Sequence, residues 1–170
     1  MNVKTQQISF IKINHKDQVE IIVSETVLIA PEKDGEASRE VLNEYPVKCG
    51  YKPNKSFKDA FLSLRQYGLE LGEFSSEDKT QYSVLSLEIT GVMELQNSRA
   101  QITLSKWVKR TGKNIKIQPG EVMMYGDEYK NADKMTKAIE KVMDEAWKYI
   151  RGENAEGIQL SMLFEETEEA

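Results

Sequence analysis

QISFIKINHKDQVEIIVSETVLIA, residues 7–30, is the stretch that decides the fold. Its two arms, residues 7–14 and 18–30, are rich in β-branched side chains, and a polar triplet separates them. β-branched runs on either side of a short polar break are typical of a β-hairpin. In the second arm every other residue is apolar with one exception, Glu25. One face of this hairpin is therefore predicted to lie against the core.

The pattern changes after the hairpin. Residues 31–45 mix proline, glycine and charge, which predicts an exposed loop with one helical turn at 38–44. Apolar residues then recur at three- and four-residue steps, which predicts a helix over residues 55–71. Ser56 and Asp59 resemble a capping box at its start, and Gly72 suits its end.

The second half of the chain begins with an alternating stretch that predicts a strand over residues 81–95, with Gly91 marking a bulge or a bend. Residues 100–110 and 115–118, joined by TGKN, predict a second hairpin. A last apolar stripe predicts a helix from 128 or 131 to 151, which Gly152 ends.

These elements predict an α+β fold in the order β-β-α-β-β-β-α. Consecutive hairpins favour a largely antiparallel sheet of about five strands with two helices on one face. The length of 170 residues suits a single domain, which we place at residues 1–152, followed by an acidic tail at 153–170. The segment 152–157 reads as a flexible joint between them.

Composition indicates where the protein works. Cys49 is the only cysteine, and the N-terminal stretch lacks the apolar region of a signal peptide. No run reaches the roughly 20 apolar residues of a membrane span. We therefore expect a cytoplasmic protein without a membrane partner.

The net charge of −5 is unevenly distributed along the chain. Residues 99–151 hold twelve Lys and Arg against seven Asp and Glu, whereas residues 153–170 hold six Glu and no basic residue. Such asymmetry indicates an interaction tail, a polyanion-binding face, or both.

The tail combines its acidic residues with an apolar run, GIQLSMLF, at residues 157–164. One interpretation is that the alternating apolar residues form an edge strand or an amphipathic turn that packs on the domain or on a neighbouring subunit of a homo-oligomer. The other is that the run is a peptide ligand for a protein partner.

The peptide interpretation rests on a resemblance. QLSMLF, residues 159–164, resembles the hexapeptide of bacterial sliding-clamp-binding proteins, with Gln first, Leu second, a large aliphatic fourth and Leu or Phe sixth. The resemblance covers six of 170 residues, and Met at the fourth position departs from the commoner Leu. It implies that the amide of Gln159 meets polar groups of the clamp, while Leu160, Met162 and Phe164 fill its hydrophobic pocket.

The second hairpin carries a cluster of basic residues around one tryptophan. Within eleven residues that contain no acid lie Lys106, Trp107, Lys109, Arg110, Lys113 and Lys116. Cations along a track contact phosphates, and an aromatic ring can stack an unpaired base, so this pattern favours a single-stranded nucleic-acid surface. Alternatively, the lysines protect an exposed hairpin from aggregation while the tryptophan packs on a neighbour.

No residue is predicted to be catalytic, and no metal site or cofactor is predicted. His15 is the only histidine and falls in the turn of the first hairpin, while Cys49 has no second cysteine or nearby histidine. The favoured function is a binding or adaptor protein that engages a partner through its C-terminal peptide. The alternatives are a single-stranded nucleic-acid-binding accessory protein, a small metal-dependent enzyme with scattered carboxylates, and a tail-packed oligomeric structural protein.

Overall fold

A computed structural model describes residues 3–91 and 98–153, with side chains described from Thr5 onward. The fold is α+β, as predicted. Within the described ranges the strands and helices are β1 Val3–Ile13, β2 Val19–Ile29, β3 Arg39–Val47, α1 Lys55–Leu62, α2 Arg65–Leu71, β4 Tyr82–Thr90, β5 Arg99–Val108, β6 Lys113–Ile117, β7 Val122–Met123 and α3 Ala132–Ile150.

The strands form one antiparallel sheet in the order β3-β2-β1-β4-β5-β6, and the short β7 pairs with β5. β1 and β2 form the first predicted hairpin, in register from Val3 opposite Leu28 to Ile13 opposite Val19. β5 and β6 form the second, from Leu104 opposite Ile117 onward. Both predicted hairpins are confirmed.

The predicted number of strands is wrong, and so is the predicted element order β-β-α-β-β-β-α. The described residues form seven strands rather than about five, and the difference is β3, placed where a loop was expected, together with β7. β3 pairs with β2 along its whole length, from Arg39 opposite Ile29 to Val47 opposite Ile21. As an edge strand it buries almost no side chain, so its sequence needs no apolar alternation and gives no strand signal.

Both predicted helical regions are present, but the first is divided. α1 ends at Leu62 and α2 begins at Arg65, and the Ser63 hydroxyl donates to the carbonyl of Ala60 at 2.5 Å. Such a bond competes with the helical pattern of backbone bonds. The N-cap is Asn54, whose side chain accepts from the Phe57 amide at 3.0 Å, rather than the predicted Ser56.

α3 matches its predicted bounds, and its apolar stripe is buried. Its fully buried residues share one hydrophobic core with α1, α2 and the inner face of the sheet. That inner face includes Ile11 and Ile21 from the first hairpin and Leu87 and Leu104 from β4 and β5. Gly91 follows β4 with φ +84°, which confirms the predicted bend. Residues 92–95 of the predicted strand lie outside the described residues.

A reciprocal tyrosine pair fastens α3 to the segment after β3. The Tyr51 hydroxyl donates to the carbonyl of Tyr149, and the Tyr149 hydroxyl donates to the carbonyl of Tyr51, each at 2.7 Å. The two rings meet edge to face with centroids 5.0 Å apart. Burial raises the pKa of Tyr51 to about 12, with a further contribution from Cys49, so this phenol stays protonated and keeps donating at neutral pH.

We predict that Tyr149→Phe lowers the free energy of unfolding by about 1–2 kcal/mol, because it leaves the Tyr51 carbonyl without its donor. Urea denaturation measures the change. Tyr125→Phe is the matched control, since Tyr125 is 51% exposed and its hydroxyl donates to Glu140 in a solvent-exposed hydrogen bond. Equal effects of the two substitutions would contradict a structural role for the buried pair.

Candidate nucleic-acid interface

The basic cluster lies on the β5–β6 hairpin at one edge of the sheet. Its turn is closed by the Gly112 amide, which donates to the carbonyl of Val108 at 2.9 Å. Gly112 has φ +64°, a left-handed conformation that glycine adopts without strain. Lys109 and Arg110 lie in this turn, so they project from the end of the hairpin.

Strand alternation divides the remaining residues between two faces. Lys106 lies opposite Ile115, and Lys113 lies opposite Val108, on the face that also carries Leu104 and the helices. Trp107 lies opposite Asn114, and Lys116 lies opposite Ser105, on the other face. The structure therefore brings Trp107 and Lys116 together and places Lys106 and Lys113 on the opposite side.

Lys106 already has interaction partners within the domain. Its ammonium lies 2.9 Å from Glu77 Oε2 and 5.1 Å from the centroid of the Tyr82 ring, and the Tyr82 hydroxyl donates to the same carboxylate oxygen. Hydrogen bonds from Tyr82 and Lys106 lower the pKa of Glu77, and its hydrogen bond with Lys106 raises the pKa of that lysine. Because Glu77 is 29 residues away in the chain, no local sequence signal predicted this pair.

Trp107 remains available for stacking. Its side chain is 44% exposed and lies on the face of the sheet away from the helices. The neighbouring positions on that face carry small hydroxyl side chains, since Ser105 lies opposite Ser83 and Thr103 lies opposite Ser86. An exposed indole can stack a planar base, and Lys116 lies on the same face of the sheet.

Lys109 is less free than its position suggests. It lies close enough to Asp78 to contribute to the lowered pKa of that carboxyl, although hydrogen bonds from Thr80 are the main cause. The candidate interface thus consists of Trp107, Lys116 and Arg110. Lys109 contributes less to it because Asp78 partly neutralises its charge. Lys113 lies on the opposite face, at the edge of the hairpin.

The other predicted binding residues, Gln159, Leu160, Met162 and Phe164, lie outside the described residues. The structure does describe the end of α3, which precedes them. Gly152 ends the helix with φ +80°, as predicted, and Arg151 pairs with Glu153 at 3.3 Å. Arg151 and Glu153 are exposed, and Gly152 between them is buried.

Metal-binding groups do not cluster in the described ranges. Within residues 3–91 and 98–153, no group of three or more His, Cys, Asp or Glu residues is placed to hold a metal ion. His15 is exposed in the β1–β2 turn, and Cys49 is half-buried beside Tyr51.

No protein-family model, curated protein or solved structure matches this chain. In the part of the chain that the structure describes, no helix is long and apolar enough to cross a membrane.

We predict that Glu77→Gln makes the protein less stable at neutral pH but not in acid. The lowered pKa of Glu77 means that its charge stabilises the fold above the ordinary value of 4.5. That contribution is lost as the pH falls below 4.5 and through the lowered pKa. The melting temperatures of wild type and variant should therefore differ at pH 7 and converge on acidification.

Glu36→Gln is the control for this comparison, because no ion pair to Glu36 is found among the described residues. A pH-independent difference for Glu77→Gln would contradict the assigned role of its charge.

Proposed function

We propose that this chain is a binding protein that presents its C-terminal peptide, Gln159 to Phe164, to a protein partner, and that a replication sliding clamp is such a partner. The observation that carries the proposal is the hexapeptide QLSMLF, whose first residue, Gln159, comes nine residues after Ile150, the last residue of α3. Binding of a short peptide segment in a groove of another protein is a recurring mode of protein recognition.

The energetics suit a weak and reversible contact. Burial of three apolar side chains contributes about 1.5–3 kcal/mol each. Ordering the peptide and losing translational freedom offset much of this gain. The expected affinity is therefore micromolar or weaker, unless a second contact adds avidity.

The test is fluorescence anisotropy of the full-length chain titrated with a purified bacterial sliding clamp. Leu160→Ala and Phe164→Ala should each weaken binding by at least about tenfold, because each removes a buried side chain. Ser161→Ala is the matched control, since the third position of the motif carries no assigned contact. Unchanged binding by the Leu160→Ala, Phe164→Ala double variant would refute the proposal.

A second function, single-stranded nucleic-acid binding, is favoured by one geometric observation. Trp107 is exposed on the helix-free face together with Lys116, and Arg110 projects from the adjoining turn. Base stacking on an exposed ring contributes about 1–3 kcal/mol per base, and the neighbouring cations contact the phosphates. Lys106 takes no part in this version of the site, because Glu77 holds it.

For this function we predict that Lys109→Glu with Arg110→Glu weakens binding to a single-stranded oligonucleotide. The slope of the logarithm of the binding constant against the logarithm of salt concentration should also become less negative, by about 0.7 for each lost phosphate contact. Lys137→Glu with Lys141→Glu makes the same charge change on the exposed side of α3 and serves as the control. Equal losses in the two double variants would point to net charge rather than to the hairpin.

A further inference from the structure

A groove of about 670 Å³ lies at the end of the sheet where β1 turns into β2. It is formed by that turn on one side and by the segment after β3 on the other. The basic residues that line it are Lys12, Lys16, Lys48 and Lys52, and we call it the lysine groove. It is separate from the β5–β6 hairpin, since no hairpin residue lines it.

The lysine groove carries an excess of positive charge. Its two acids are already matched, because Glu20 lies 3.9 Å from Lys12 and Asp17 lies 3.5 Å from Lys58 of α1. Lys16, Lys48 and Lys52 are exposed, and none has a carboxylate within 4.0 Å among the described residues. Three lysines without an ion-pair partner in the described part of the chain therefore line a common space, and the two carboxylates that share it, Asp17 and Glu20, are each paired with another lysine.

The walls of the groove are held in place by hydrogen bonds. In the β1–β2 turn, the Asn14 side-chain oxygen accepts from the amides of Lys16 at 2.9 Å and Gln18 at 3.0 Å. On the other wall, the reciprocal bonds between Tyr51 and Tyr149 fix the segment that carries Lys48 and Lys52. The lysines thus project from rigid backbone, which lowers the entropy cost of binding an anion.

The acidic tail starts beside this groove. Tyr51 lines the groove and is bonded to Tyr149, in the last turn of α3. A Cβ on Gly152 would lie only 3.7 Å from the Tyr51 hydroxyl. The chain beyond Glu153 therefore begins at the edge of the groove and carries the acidic block EETEE at residues 165–169.

We propose that the lysine groove is a carboxylate-binding site and that its occupant is the acidic block of this same chain, residues 165–169. The charges are complementary, with four glutamates against three unmatched lysines. The twelve residue-to-residue steps from Glu153 to Glu165 span at most about 43 Å, so the block can fold back to a groove that lies next to its origin.

Because the connection is short, even a weak contact is enough for the acidic block to occupy the groove much of the time. A tether of this length gives the block an effective concentration in the millimolar range, so an intrinsic dissociation constant of that order already yields substantial occupancy. The contact also forms a loop that contains residues 159–164 and holds them near the domain. It stands independently of whether that peptide binds a clamp.

The test is an NMR comparison of the full-length chain with a full-length variant in which Glu165, Glu166, Glu168 and Glu169 are changed to Gln. At about 0.01 M salt, the amide signals of Lys16, Lys48, Gly50 and Lys52 should differ between the two proteins, while those of Lys109 and Arg110 coincide. The differences should disappear at about 1 M salt, where the Debye length falls to about 3 Å.

Two further variants and a ligand sharpen the result. Lys16→Gln, Lys48→Gln and Lys52→Gln together should abolish the dependence of the groove signals on the tail, whereas Lys109→Gln with Arg110→Gln should leave it intact. Differences at the hairpin instead of the groove, or none anywhere, would overturn the proposal. So would differences that depend on protein concentration, which indicate a second copy, or a groove that responds only to added inorganic phosphate.

Discussion

Burial of one apolar face of the sheet beneath the helices is the constraint on which the rest of this structure depends. The central strands β1, β4 and β5 supply Ile11, Leu87 and Leu104 to that face, and α3 contributes fully buried residues such as Ile139 to the same core. The packing is close, because a Cβ on Gly68 of α2 would lie 2.9 Å from Leu104.

The constraint explains the environment of Lys106. Alternation along β5 places its side chain on the same face as Leu104, where it is partly buried. A cation there needs a partner, and Glu77 together with the Tyr82 ring supplies one. The next residue, Trp107, points away from the core and is left exposed. Two adjacent residues of one basic cluster therefore have different environments: Lys106 is paired within the domain, and Trp107 is exposed.

The outer strands are subject to a different requirement. β3 ends the pairing path on one side and β6 on the other, so each has an unpaired backbone edge within the described part of the chain. Pro46 in β3 and Lys113 and Lys116 in β6 are residues that discourage pairing with a further strand. The charge of the β5–β6 hairpin thus has a structural reason as well as the proposed functional one.

Local sequence determined the elements that bury side chains with a regular period. β1, β2, β5 and α3 followed from alternation and from three- and four-residue spacing, because burial on one face imposes those periods on the residues themselves. The exposed β6 followed instead from the TGKN turn that joins it to β5. Tertiary structure alone decided the features without such a period. β3 buries almost nothing, so only its pairing with β2 identifies it as a strand. The Glu77–Lys106 pair and the convergence of Lys16 with Lys48 and Lys52 join residues distant in the chain. Contacts of this kind depend on which strands become neighbours, and no local pattern specifies that.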